Sequence, residues 1–164
     1  MKILPFVFLL CSSLALCSCV TRIHGIPNLD TVWYTSVYRG GQPNHEGWVY
    51  LKNAGVTNVI KLNEKSEWGD KEAESLGMTV HYYPISLEEQ MVKVNGDKIW
   101  QAVSNISPCT FIHCEHGQDR TGLIIACDEV RKGYPKKLAE KEMLDHGFHK
   151  SLRGLWEFWE DNVK

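Results

Sequence analysis

Residues 110 to 130 constrain the fold more than any other stretch of the chain. Thr110-Phe111-Ile112-His113 is a short apolar run of strand type, and Leu123 to Val130 is apolar on nearly every helical face. A helix without a polar face must be covered on all sides, so the pattern predicts a buried central helix fed by a buried strand. Across the join runs a polar, glycine-containing segment, His113-Cys114-Glu115-His116-Gly117-Gln118-Asp119-Arg120-Thr121-Gly122.

The flanking pattern supplies the layers that would cover such a helix. Strands are expected over Trp33–Tyr38, Val56–Leu62 and Val80–Ile85, and a turn over Arg39-Gly40-Gly41-Gln42-Pro43-Asn44. Helices are expected over His45–Ala54, ending at Gly55, and over Ser66–Leu76, ending at Gly77. Leu87, Glu88 and Glu89 fall in a loop, and Asn95 caps a helix with Ile99, Trp100 and Val103 on one face. Lys136–His146 and Leu152–Asn162 read as closing helices. Strands alternating with helices, then a helical run, predict an α/β fold: a central, short, mostly parallel sheet flanked by helices.

Five residues separate Cys114 from Arg120. That length lets the backbone curl so that successive N–H groups point inward, an anion nest at the start of a helix. The nest fits a phosphate, and its N–H groups with the helix dipole favour the nucleophilic thiolate of Cys114. Gly117 permits backbone conformations closed to a residue with Cβ. Arg120 can hold two phosphoryl oxygens bidentately, and the Thr121 hydroxyl can donate to the sulfur. Substrate contacts are therefore expected from the loop 115–120: Glu115, His116, Gly117, Gln118, Asp119 and Arg120. Supporting roles fall to His113, as a hydrogen-bonder fixing the loop, and to Arg39, Lys61 and Lys65, as a basic rim or as ordinary surface charges.

His-Cys-x5-Arg-Thr-Gly resembles the phosphate-binding signature of the protein-tyrosine phosphatase superfamily. A weaker likeness to its small atypical dual-specificity members extends over Tyr38–Pro43, Val59–Leu62 and Lys141–Phe148. The resemblance implies a dual-specificity-phosphatase-like fold. It also implies hydrolysis of phosphate monoesters through a phosphocysteine at Cys114, without metal or other cofactor. The family's general-acid Asp usually follows a Pro-Ile pair, but Pro84-Ile85 is followed here by Ser86-Leu87-Glu88-Glu89, with Leu87 in its place. Asp119, placed as in myotubularin-like lipid phosphatases, is the preferred substitute because an acid must reach the leaving oxygen. Glu88 and Glu89 remain alternatives.

Other readings compete. A phosphate-binding module without catalysis would explain the missing Asp, and a rhodanese-like sulfurtransferase also sets a Cys in an anion-binding loop. Intact Cys114, Arg120 and the Thr121-Gly122 ending favour the phosphatase. A metal held by His113, Cys114 and His116 lacks a fourth ligand. A phosphorylated small molecule or a phosphoprotein is the expected substrate, with inositol phosphates and small esters ahead.

The formal charge of -2 carries no long run of one sign, so no nucleic-acid partner is expected. Lys2 and the apolar run Ile3–Leu10 have the layout of an export signal, and Leu16-Cys17-Ser18-Cys19 resembles a bacterial lipobox. The expected organisation is a signal over 1–18, a tether over 19–31 and one domain over 32–164. Cys19 would carry the lipid anchor of a periplasm-facing protein, at the outer membrane because Val20 is not Asp.

Overall fold

The computed structural model describes residues 22–32, 35–64 and 70–164. Two short strands, β1 (Arg22–Ile23) and β2 (Ile26–Pro27), pair as an antiparallel hairpin. The main sheet contains β3 (Asp30–Thr31), β4 (Tyr38–Gly40), β5 (Asn58–Lys61), β6 (Thr79–Tyr82) and β7 (Thr110–His113), in the order β3-β4-β7-β5-β6. Only β3 and β4 pair antiparallel; the other three pairings are parallel, as the strand and helix alternation predicts. The helices are α1 (His45–Asn53), α2 (Lys71–Ser75), α3 (Leu87–Met91), α4 (Gly96–Ser104), α5 (Asp119–Arg131), α6 (Lys136–Asp145) and α7 (Arg153–Asn162).

Alternation along the strands builds the core on both sides of the sheet. Val59 and Phe111 pack with Trp48 and Leu51 of α1 and with Ala73 of α2. Their neighbours Ile60 and Ile112 face the other way, onto α4, α5 and α7 through Ile99, Val103, Leu123, Ile124, Leu155 and Trp159. Ten of the thirteen residues of α5 are buried, so a helix without a polar face does sit at the centre. Truncating Ile124 to Ala would cost about 2–5 kcal/mol in such a core. β7 lies mid-sheet and feeds α5 from its C-terminal end, the position where parallel sheets place ligand sites.

Four expectations need revision. Residues 22–31, expected as a tether, form β1, β2 and β3, and Ile26 is fully buried against the domain. The stretch after Pro84-Ile85, expected as a loop, contains α3. Ser86 caps it by accepting from Glu89 N at 3.1 Å, while Glu89 accepts from Ser86 N at 2.9 Å. The central helix starts at Asp119, placing Asp119, Arg120 and Thr121 in its first turn rather than in the loop before it. The strand expected from Trp33 begins at Tyr38 in β4, with residues 33 and 34 outside the described residues. Residues 1–21, with the signal and Cys19, and residues 65–69, with Lys65, also lie outside them. Among the described residues no helix is long and apolar enough to cross a membrane.

Candidate active site

The segment between β7 and α5 is folded against the turn after β4. The Glu115 carbonyl accepts from Gln42 N at 2.9 Å. The Gly117 carbonyl accepts from Arg39 Nη2 at 3.1 Å and from Asn28 Nδ2 at 3.2 Å. Because N–H and C=O of a trans peptide point opposite ways, carbonyls drawn outward turn the N–H groups of His116 and Gln118 inward. The close approach explains Gly117. Its φ is +76°, and a Cβ there would lie 2.3 Å from Gly40 C. Gly41 is equally confined, since its Cβ would meet the Glu115 carbonyl oxygen at 2.6 Å.

At the base of this loop lies Cys114, 3% exposed. Its sulfur accepts from the Gly117 N–H at 3.3 Å and from the Thr121 hydroxyl at 3.2 Å. Two donors therefore converge on one buried sulfur. Arg120 is also buried, and its Nη1 donates to the Ile85 carbonyl at 3.2 Å, linking the first turn of α5 to the segment that leads into α3.

A charged network underlies the loop. His113 Nε2 lies 2.8 Å from Asp70 Oδ2, and His113 Nδ1 lies 3.2 Å from the Cys114 carbonyl. Asp70 Oδ1 accepts from Gln42 Nε2 at 2.9 Å and from Lys61 Nζ at 3.3 Å, with Lys61 and Asp70 side chains fully buried. Burial alone would raise the Asp70 carboxyl. The His113 hydrogen bond and charge, the Gln42 amide and the Lys61 ammonium outweigh it and hold the group below the usual carboxylate value. His113 also stacks on Phe111 and meets Trp48 edge-on, so the ring is fixed by packing as well.

Arg39 and Lys61 are therefore not a rim. Arg39 is 1% exposed and Lys61 is fully buried. Both sit beneath the loop because β4 and β5 flank β7, in register at Gly40 and Lys61 with His113. Burial pushes the Arg39 guanidinium down to about 10, against the opposing charges of Glu142, Cys114, Asp30 and Glu129, so it stays positive at neutral pH. Behind it Glu129 is pushed up to about 8, first by burial and then by its hydrogen bond to Glu142 and that group's charge.

The acid candidates have different surroundings. Leu87 is 67% exposed. Glu88 is exposed on α3. Glu89 is committed to its cap and to Lys98 Nζ at 2.9 Å. Burial would raise its carboxyl, but the Lys98 and Ser86 hydrogen bonds hold it below the usual value. Asp119, one residue before Arg120, has a side chain 18% exposed. Its Oδ1 accepts from His149 N at 2.7 Å and lies 3.0 Å from His149 Nδ1.

The sequence profile of a family described as "Polymorphic toxin system, DSP-PTPase phosphatase" matches residues 35–134, more than half of the chain. The chain belongs to this family. The DSP-PTPase domain has well-matched solved folds. The core catalytic domain of the PP-IP phosphatase Siw14 from S. cerevisiae, in complex with citrate, superposes with a TM-score of 0.67 at 20% identity, covering 83% of this chain and 88% of that one. TpbA of P. aeruginosa gives 0.67 at 22% identity, covering 81% and 83%. A phosphatase from Shewanella putrefaciens described as putative gives 0.65 at 18% identity, covering 85% and 93%. No curated protein matches the chain by sequence.

On the outer side of the DSP-PTPase loop, Glu115 and His116 have side chains 44% and 58% exposed. With Arg22, Pro27, Gln42, Pro43 and Asn44 they line a pocket of about 370 Å³. Gln118 packs on Gly147, where an added Cβ would meet its amide at 2.7 Å. Among the described residues no group of three or more His, Cys, Asp or Glu side chains is arranged to hold a metal ion.

Sequence reasoning did not single out Asp70, Gln42, Asn28, Asn63 or His149. Asn63 follows Leu62, whose N–H bonds the His113 carbonyl at 2.9 Å, and is fully buried with neither end of its amide hydrogen-bonded among the described residues. A lone Asp or Asn carries no spacing signal when its partner lies far along the chain. Lys61, within the apolar run Val59-Ile60-Lys61-Leu62, did carry one: a charge in a strand buried on both faces needs a counter-ion.

Proposed function

We propose that this phosphatase hydrolyses phosphate monoesters in two steps through a phosphocysteine at Cys114. The observation that carries the reading is the pair of donors, Gly117 N–H and Thr121 hydroxyl, on the Cys114 sulfur at the base of the loop. The inward N–H groups and Arg120 would hold the phosphoryl oxygens as charge shifts in the transition state. The sulfur attacks phosphorus, the P–O bond to the leaving group breaks, and Asp119 gives its proton to the departing oxygen. Water then attacks phosphorus, Asp119 takes a proton from it, and the S–P bond breaks to return the thiolate and inorganic phosphate. Asp119 is preferred to Glu89 because Glu89 is tied to Lys98 and to its own helix cap.

Inositol phosphates or other small phosphate esters are the proposed substrates, ahead of phosphoproteins. The pocket beside the loop carries Arg22 and His116, which suit further anionic groups, although Glu115 opposes them. Siw14 is described as a PP-IP phosphatase, whereas TpbA has been captured with phosphotyrosine. Turnover of an aryl phosphate by the purified chain, lost in Cys114→Ser with phosphate binding retained, tests the mechanism; full activity in that variant contradicts it. A panel of phosphopeptides and inositol polyphosphates tests the substrate class, and a strong peptide preference overturns it. Export and lipidation at Cys19 belong to the same proposal, and Cys19→Ala that still partitions with membranes would contradict the anchor.

A further inference from the structure

The second half of the phosphate loop is held by a segment that contributes nothing to the loop itself. Residues 146–149, between α6 and α7, touch it in three places. Asn28 Nδ2 bridges the carbonyls of Gly117 and His146, at 3.2 and 2.9 Å. Gln118 lies over Gly147, whose φ of +88° and missing Cβ leave room for the amide. His149 holds Asp119 with two groups, its backbone N–H at 2.7 Å and its ring Nδ1 at 3.0 Å. Phe148, 6% exposed and packed toward Trp156, anchors the segment in the core. The clamp is therefore attached to a part of the fold that is itself fixed.

Both His149 groups meet the same carboxylate oxygen, Oδ1. A carboxylate oxygen only accepts, so Nδ1 carries a hydrogen in this contact, and two donors occupy Oδ1. Among the described residues no hydrogen bond is made to Oδ2. A protonated carboxyl carries its hydrogen on one oxygen; with the Nδ1–H tautomer and the backbone N–H both donating to Oδ1, the oxygen left to carry it is Oδ2. We infer that His149 is a positioning residue for the general acid: it fixes which oxygen of Asp119 bears the transferable proton and in which direction that oxygen points. The same two donors stabilise the carboxylate left after the first step, until it takes a proton from water in the second. The inference rests on the reading of Asp119 as the acid and adds a residue thirty positions away in sequence.

The test uses the full chain with Asp119→Asn, His149→Ala, His149→Asn and the double variant Asp119→Asn/His149→Ala. Each is assayed on an alkyl phosphate, whose leaving oxygen needs a proton, and on an aryl phosphate whose leaving group departs without one. His149→Ala keeps the backbone N–H but removes the ring. It should lower kcat on the alkyl ester roughly tenfold, as expected for a misdirected catalytic group, with KM and aryl turnover nearly unchanged. His149→Asn, whose amide nitrogen can donate from near the Nδ1 position, should recover most of the loss. The double variant should be no slower than Asp119→Asn alone, because both changes act on one proton transfer. Equal losses on both esters in His149→Ala, no loss at all, or additive losses in the double variant would overturn the positioning role. If Asp119→Asn itself loses equally on both esters, the acid assignment fails first and the inference falls with it. The His149 side chain is 59% exposed, so its removal leaves no core cavity.

Discussion

Replacing Asp70 by Asn removes one negative charge from a site with no access to water. The carboxylate accepts from His113 Nε2, Gln42 Nε2 and Lys61 Nζ, and the Lys61, Asp70 and His113 side chains are fully buried. An Asn of the same shape has one acceptor where the native residue has two. Its oxygen can still serve Gln42 and Lys61 while its N–H group meets His113 Nε2, which accepts only if the ring is neutral with its hydrogen on Nδ1; Lys61 then keeps a neutral acceptor but loses its carboxylate. Breaking a buried pair by removing one partner costs about 3–5 kcal/mol, which corresponds to a fall in Tm of about 6–20 °C for a chain of this size. Lys61→Met in the Asp70→Asn background should recover a large part of that loss, because the stranded charge disappears with it. The pH dependence has a definite sign. Asp70 is held below its unfolded value, so its contribution is present above the ordinary carboxylate range and is lost as pH falls through the folded value. Wild type should lose this stability only in acid, below about pH 4, and Asp70→Asn should flatten that limb. Urea unfolding followed by circular dichroism at pH 7, and across the acid range, measures both effects. A destabilisation under about 1 kcal/mol, or a double variant no better than Asp70→Asn, would refute the network.

Gly117→Ala must place a Cβ 2.3 Å from Gly40 C at a φ of +76°, so the loop has to move away from the β4 turn. The left-handed backbone alone costs about 1–2 kcal/mol; turnover should fall roughly 10²-fold with weakened phosphate inhibition, and unchanged phosphate affinity would show that the loop does not need this contact. Glu129→Gln should alter the pH dependence of stability between the ordinary carboxylate range and about pH 8. Glu129 is raised in the fold to about 8, so the stability it contributes is complete below its unfolded value and is lost as pH rises through about 8. Wild-type urea midpoints should therefore decline from mildly acidic pH, above the ordinary carboxylate value, to about pH 8, and the variant should flatten that decline; an unchanged slope would show that Glu129 does not hold this proton.

What could be read from the sequence depended on how local the cause was. Cys114, Gly117, Arg120 and Thr121 lie within eight residues, and the geometry of a curled loop before a helix follows from their spacing. The central helix was legible because residues 123–130 lack a polar face, although its polar first turn hid the true start at Asp119. The helix at Leu87–Met91 was obscured because Leu87 and Met91 are exposed, so no apolar period points inward; the Ser86 and Glu89 capping box was the only local signal. β1 to β3 have two residues each, too short to show alternation, yet Ile26 is fully buried. Arg39 looked like a surface charge because its partner, the Gly117 carbonyl, reaches it only through the pairing of β4 with β7, and the counter-ion of Lys61, Asp70, is brought to it by the docking of α2. The contact of His149 with Asp119 depends on how the turn between α6 and α7 docks on α5 and has no counterpart in spacing.

The most direct test of the account is to stop the reaction in mid-turnover. The wild-type chain would be mixed with an excess of aryl phosphate, quenched in acid within the first turnovers, digested and examined by mass spectrometry. One added phosphoryl group is expected on the peptide containing Cys114, absent in Cys114→Ser, with a chase in quench-free buffer releasing it as inorganic phosphate. Steady turnover with no adduct on that peptide, together with undiminished activity in Cys114→Ser, would contradict it.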